Sequence, residues 1–234
     1  MTLREKQLDI PLPNRIVEKS SGLRMHKLHT FKHIYPDKFI ENNCCVFNEF
    51  AVKWCTKCAS STIQKIHWNL MRKPENFPVD DWQESFAYPH IKLKGRIQYT
   101  DDKPLYAFYR DPIERFISSC NFLLWETDTH NPDWVGPSSI TEMIEFVQYY
   151  NLLHCMDIFW PQSIFLIKPD LYEAVYKTSY LNEFFKSWGI DVDQYGSEKI
   201  GQVKGPFSVN QLSQRDISIV KDLYHMDYLL GWGE

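Results

Sequence analysis

A lysine stands among small and hydroxyl-bearing residues in Cys55-Thr56-Lys57-Cys58-Ala59-Ser60-Ser61-Thr62. An apolar run from Phe50 to Trp54 precedes it and reads as a strand. Ile63, Ile66, Leu70 and Met71 follow with the spacing of a helix over about 62–72. A strand, a tight loop of small residues and a helix N-terminus together make an anion cradle. Backbone N–H groups approach the ligand closely, and the helix dipole adds positive potential. Lys57 brings a full charge to the same place. Ser61 and Gln64 have the spacing of a capping box, which predicts a helix start at the end of the loop. The glycines and the Gly-Lys-Ser/Thr ending of a Walker A loop are missing. The chemistry these residues suit is the holding of a phosphate or sulfate group.

The same stretch supports a second reading. Cys55-Thr56-Lys57-Cys58 spells a Cys-x-x-Cys between a strand and a helix, as in a thioredoxin-like thiol–disulfide protein. Pro89, in Tyr88-Pro89-His90-Ile91-Lys92-Leu93, then stands for the proline that faces such a site. Zinc held by Cys44, Cys45, Cys55 and Cys58 is a poor fit, because adjacent cysteines rarely bind one ion.

A second anion site is spelled around Arg110. Leu105 to Arg110 reads as a short strand, and Asp111-Pro112-Ile113-Glu114 starts a helix with a cap, a first-turn proline and an acid at the third position. Arg110 therefore stands at the C-terminal end of a strand, the edge where open α/β sheets bind ligands. Ser118 lies two helical turns beyond the cap, on the side of Asp111 and Arg115. Arg110 and Ser118 can converge on one phosphate through a charged fork and a hydroxyl. The plain alternative is an arginine that caps a carbonyl and a solvated serine. For Arg115 the expectation is a surface ion pair with Glu114 or Asp111.

Residues 106–120, Tyr-Ala-Phe-Tyr-Arg-Asp-Pro-Ile-Glu-Arg-Phe-Ile-Ser-Ser-Cys, resemble the 3′-phosphate motif of sulfotransferases of the carbohydrate-sulfotransferase-like group, Arg-Asp-Pro-x-Glu-Arg-x-x-Ser. Thr56 to Thr62 resembles the 5′-phosphosulfate loop of that family. Trp160-Pro161-Gln162-Ser163-Ile164-Phe165-Leu166 is similar to its Pro-Gln segment, and Leu212 to Gly231 to its terminal helix with Leu-Tyr-x-x-Asp-Tyr. The four blocks span about 46–231 in family order. The resemblance implies a P-loop-like three-layer α/β fold, with a central, mostly parallel sheet flanked by helices. It implies the donor 3′-phosphoadenosine 5′-phosphosulfate (PAPS), the product adenosine 3′,5′-bisphosphate (PAP), and no metal. Lys57, the backbone of Cys58, Ala59, Ser60, Ser61 and Thr62, and the Ser61 hydroxyl would hold the 5′-phosphosulfate. Arg110 and Ser118 would hold the 3′-phosphate. Sulfuryl transfer is a loose in-line displacement in which positioning and charge stabilisation dominate. The chain departs from the family at Thr56 for proline, at Ala59 for a frequent glycine, and at Ile158 for a common histidine.

The elements around these sites follow from composition and periodicity. The 234 residues suit one domain, 43–234, behind a polar lead-in at 1–42. From 46 onward strands and helices alternate. A loop is expected over 74–87, a strand near 90–93, and a loop over 126–137 whose Trp134, with Trp125, can wall an acceptor pocket. Further expectations are a helix from Ser139, a strand at Ser163–Ile167, a helix from Ser179 closed by Gly189, and one last helix from Ser213 to Tyr228. The net charge of −4 supplies no basic field for nucleic acid. Six cysteines in a chain without a signal peptide pattern read as reduced cytoplasmic thiols. No apolar run reaches the ~18 residues of a membrane span.

An acceptor hydroxyl needs a base. His90 and His154 are the candidates, with Asp157 beside the Pro-Gln segment; each also has a plain reading as a packed or surface polar residue. His67 reads as a core histidine, and Lys199 and Lys204 as a solvated loop before the last helix. The expected acceptor is a small molecule, a cationic one such as a hydroxylated alkaloid suiting the acidic chain. A sugar hydroxyl is the alternative. Oligomeric state is not legible.

Overall fold

A computed structural model describes residues 44–71, 103–130, 137, 139–150, 155, 157–166, 172–196 and 205–233. In chain order these form strands Cys44–Val46 (β1) and Ala51–Lys53 (β2), helix Ser60–Met71 (α1) and strand Leu105–Tyr109 (β3). Helices Pro112–His130 (α2), Ile140–Tyr150 (α3) and Gln162–Phe165 (α4) come next, with a 3₁₀ turn at Asp157–Phe159. Strand Ala174–Lys177 (β4), a 3₁₀ turn at Thr178–Tyr180, and helices Leu181–Ser187 (α5), Val192–Gly196 (α6), Gln214–Leu223 (α7) and His225–Leu229 (α8) complete the set. Within the described residues there are two compact units, 44–110 with 162–196 and 111–161 with 205–233.

The first unit holds the sheet, in the order β1-β2-β3-β4. β1 and β2 are an antiparallel hairpin, whose turn closes with the Phe47 N–H donating to the Phe50 carbonyl at 2.8 Å. β2, β3 and β4 run parallel, with Val52 opposite Tyr106 and Phe108 opposite Tyr176. The architecture is α/β with a mixed sheet. Side chains alternate across the pleat. Val52, Tyr106 and Phe108 therefore share one face with Ile63 and Ile66 of α1 and Leu181, Phe184 and Phe185 of α5. Ala51 and Leu105 share the other with Cys44, Val46 and Tyr172.

The second unit is helical. α2 buries Pro112, Arg115, Phe116, Ser119, Cys120 and Leu123, a three-four stripe of one face. Met143, Ile144 and Val147 of α3 and Val220 of α7 join that core, together with Tyr224.

Several expectations are corrected. The described part of the strand expected at 163–167 is helical: Leu166 N–H bonds the Gln162 carbonyl at 2.9 Å, closing a helical turn, and β4 stands beside β3 instead. A short apolar run carries no period that separates strand from helix. The first five residues of the expected 126–137 loop belong to α2. The single last helix is two, parted at Tyr224, whose ψ of 24° leaves the helical range. Asp111, by contrast, caps α2 as expected: its Oδ1 accepts from the N–H groups of Ile113 (2.9 Å) and Glu114 (3.0 Å). The arm 1–42, the loop 74–87 and the strand near 90–93 lie outside the described residues.

Candidate functional site

Because β2, β3 and β4 are parallel, their C-terminal ends open on one edge of the sheet. β2 stops at Lys53, opposite Ala107, and the Lys57 loop leaves from there. β3 runs two residues further, to Tyr109 opposite Lys177, and Arg110 follows it. The turn after β2 closes with Cys58 N–H donating to the Cys55 carbonyl at 3.1 Å. Lys57 (φ 63°) and Ala59 (φ 58°) take the left-handed conformation, which costs a residue with a Cβ about 1 kcal/mol. The second of these turns aims the chain into α1. The first helical bond, Ile63 N–H to Ala59 carbonyl at 3.0 Å, leaves the N–H groups of Ser60, Ser61 and Thr62 ahead of the ladder, at the positive end of the dipole. Lys57, Ala59, Ser60, Ser61 and Thr62 are half-buried, and Cys58 is fully buried. Ser61 is the second residue of α1 rather than its cap, so the expected Ser61–Gln64 box does not set the start; the kink at Ala59 does.

Gln162, at the start of α4, is fully buried and holds this edge together. Its Oε1 accepts from the Arg110 backbone N–H at 2.8 Å, and its Nε2 donates to the Arg110 carbonyl at 2.8 Å. The same Oε1 accepts from the Cys58 thiol at 3.0 Å. The residue after Lys57 and the backbone of Arg110 thus share one oxygen. The Pro-Gln segment stands out in the sequence by its family resemblance, but neither that resemblance nor the residue type foretells this bridge. Lys177 was also missed; it is half-buried and ends β4 on the same edge.

No family model, curated protein or solved structure matches this chain.

The remaining candidates divide. His67 is a core histidine, its Nε2 3.0 Å from the Val46 carbonyl and its ring edge-on to Phe47. Cys55 and Cys58 are both fully buried thiols, the reverse of the exposure an attacking thiolate needs. In the second unit Ser118 is half-buried on α2. Its neighbour Ser119 is fully buried, with Oγ 2.6 Å from the Ile158 carbonyl and 3.0 Å from that of Arg115. Arg115 is not on the surface: it is fully buried in the α2 stripe, where its charge opposes the upward shift that burial gives the Tyr224 phenol. Asp227 is buried beside the same phenol, whose hydroxyl donates to the Phe159 carbonyl at 2.7 Å. Ile158, at the family's histidine position, is in the core. Trp125 is 46% exposed, with its ring 5.6 Å from that of Phe122. His90, His154, Trp134, Lys199 and Lys204 lie outside the described residues. Among the described residues no group of three or more His, Cys, Asp or Glu is placed to hold a metal, and no helix is long and apolar enough to cross a membrane.

Proposed function

We propose that this chain is a sulfotransferase of P-loop-like three-layer fold, which moves a sulfuryl group from PAPS to a hydroxyl of a small-molecule acceptor. One observation carries the reading. A lysine turn and an arginine turn leave adjacent parallel strands at one sheet edge and are tied through Gln162. That suits a donor with an anion at each end. In this reading the acceptor oxygen attacks sulfur in line, and the bond from sulfur to the oxygen of the 5′-phosphate breaks. PAP leaves, and the acceptor proton passes to a base, for which His90 and His154 are the candidates. Lys57 stabilises the charge that grows on the leaving oxygen, and the N–H groups from Ala59 to Thr62 with the Ser61 hydroxyl hold the 5′ end, the Cys58 N–H being spent on the turn. Arg110 binds the 3′-phosphate; Ser118 joins it on the strength of the motif alone.

A cationic acceptor met in the cytoplasm suits the net charge of −4 and the six cysteine thiols. A carbohydrate hydroxyl is the alternative, and an acceptor screen with labelled PAPS separates the two. Full burial of Cys55 and Cys58 weighs against a thiol–disulfide protein, as does the bond that engages the Cys58 thiol.

Titration calorimetry with PAP is the direct test. The wild type should bind, and Arg110→Ala should bind roughly tenfold to a hundredfold more weakly, the worth of a charge-assisted bond. In a transfer assay Lys57→Ala should lower kcat about 10²–10³-fold. No heat with PAP, or unaltered affinity in Arg110→Ala, would remove the basis of the assignment.

A further inference from the structure

A glutamine side chain carries two donor hydrogens and one oxygen with two lone pairs. In Gln162 both lone pairs are used, by the Arg110 N–H and the Cys58 thiol, and one donor hydrogen goes to the Arg110 carbonyl. The amide therefore pairs with the Arg110 backbone as a neighbouring strand would. It continues the hydrogen-bonded order of β3 one residue past Tyr109, where the match to Lys177 ends. It does this from a site with no exposure, where water cannot substitute for a lost bond. Cys58 is bonded in sequence to Lys57. One oxygen thus sets the distance between the turn that carries the ammonium and the turn that carries the guanidinium.

We infer that Gln162 is a positioning residue that fixes the spacing of the Lys57 and Arg110 turns and so sets the preference for an adenosine nucleotide with phosphates at both ends over one with a single 5′-phosphate. This rests on the sulfotransferase reading for the identity of the ligand. The physical reason is general. A ligand gripped at two points gains from the second grip only when the two are held at the matching separation. If the turns move independently, ordering them consumes that gain. A nucleotide with one 5′-phosphate engages the Lys57 turn alone and is indifferent to the spacing.

The test is calorimetry with PAP and with adenosine 5′-monophosphate on the full chain, in the wild type, Gln162→Met, Cys58→Ala and Cys58→Ser. Gln162→Met keeps volume and removes the two bonds to the Arg110 backbone and the one from the Cys58 thiol. It should reduce the bisphosphate-over-monophosphate preference by about tenfold or more, as small misplacements of a binding group do. Monophosphate affinity should stay within about threefold, and the Arg110 amide should exchange its hydrogen faster. Cys58→Ala removes one bond and should move the preference the same way by less. Cys58→Ser restores a donor and should keep the wild-type preference. An undiminished preference in Gln162→Met, or in Cys58→Ala should the methionine variant not fold, overturns the inference and leaves the sulfotransferase reading intact. Equal losses for both nucleotides also overturn it, since they mark a structural role only. A wild type that binds no PAP overturns the inference and the sulfotransferase reading together.

Discussion

Lys57 and Ala59 both hold a positive φ, and neither is a glycine. The Ala59 methyl packs against the core of the sheet unit, yet the residue ahead of a helix is better as glycine than as alanine. Ala59→Gly should relieve about 1–2 kcal/mol of left-handed strain against about 0.5–1 kcal/mol of extra unfolded-state freedom. The expected outcome is a melting temperature higher by about 1–3 °C with PAP affinity unchanged; a lower melting temperature would show that the methyl packs to more effect than it strains. Lys57→Gly should gain similar stability and, on the sulfotransferase reading proposed above, lose PAP binding, because that reading gives the anion contact to its side chain. Arg115 makes the opposite case. Its place in an arginine-rich motif suggested a surface charge, yet it is fully buried near Tyr224 and the buried Asp227. Arg115→Met should cost about 1–3 kcal/mol, because the groups packed around a fully buried guanidinium lose its hydrogen bonds and charge. The folded fraction should still bind PAP. Urea unfolding beside calorimetry separates this fold-supporting arginine from Arg110; weaker binding at unchanged stability would reverse the two roles.

At the scale of elements, each unit uses one buried amide to clamp one backbone residue by both of its polar groups. In the first unit it is Gln162 on Arg110. In the second, Asn121 Nδ2 donates to the Phe207 carbonyl at 2.9 Å, and its Oδ1 accepts from the Phe207 N–H at 3.0 Å. That clamp fastens the segment ahead of α7 to α2. Gly205 makes room for it, since a Cβ there would overlap the Asn121 amide. Gly205→Ala should therefore displace a side chain that two hydrogen bonds hold in place, and lower stability by about 1–3 kcal/mol. A stability within error of the wild type would mean that the segment shifts freely. Such clamps explain what was legible in the residues and what was not. Local signals were reliable: Asp111 caps α2, the Ser139 Oγ accepts from the Glu142 N–H at 3.2 Å, and Gly189 closes the turn after α5 with φ 72°. The turn after β2 that carries Lys57 and the Arg110 turn after β3 were legible as strand–turn–helix junctions for the same reason, since a strand, a cap and a helix are each written within a few residues. The β4 strand at 174–177 was not, because its place beside β3 is decided by pairing across more than sixty residues of chain. Gln162 and Asn121 were not, because a clamp is a relation between distant segments and neither residue type declares it. The burial of Arg115 was within reach: residues 112, 115, 116, 119, 120 and 123 recur at helical spacing, and only the charge argued against completing the stripe.

Across the whole molecule, both units bury groups that ionise in alkali. In the helical unit, burial raises the Cys155 thiol well above its ordinary range, and likewise Cys120 and the Tyr224 phenol; Tyr228 is pushed up to about 12. In the sheet unit, burial raises the Cys44 thiol and the Tyr172 phenol. In the unfolded chain the thiols titrate near about 8.5 and the phenols near about 10. The native state then holds these protons at pH values where the unfolded state has released them. Stability from this source is complete below about pH 8.5 and is lost as pH rises above it, by about 1.4 kcal/mol per pH unit for each proton that only unfolding releases. Urea unfolding under reducing conditions should show a flat midpoint from about pH 7 to 8.5, then a decline that steepens past about pH 10 as the phenols join the thiols. Cys155 allows a sharp version of the test, since burial is the sole cause of its shift. Cys155→Ala should lower stability at neutral pH through the small cavity it leaves. It should also remove one proton's worth of slope between about pH 9 and 11. A midpoint flat to pH 11, or an alkaline slope that the substitution leaves unchanged, would show that these cores admit water and that the thiols ionise within the folded protein.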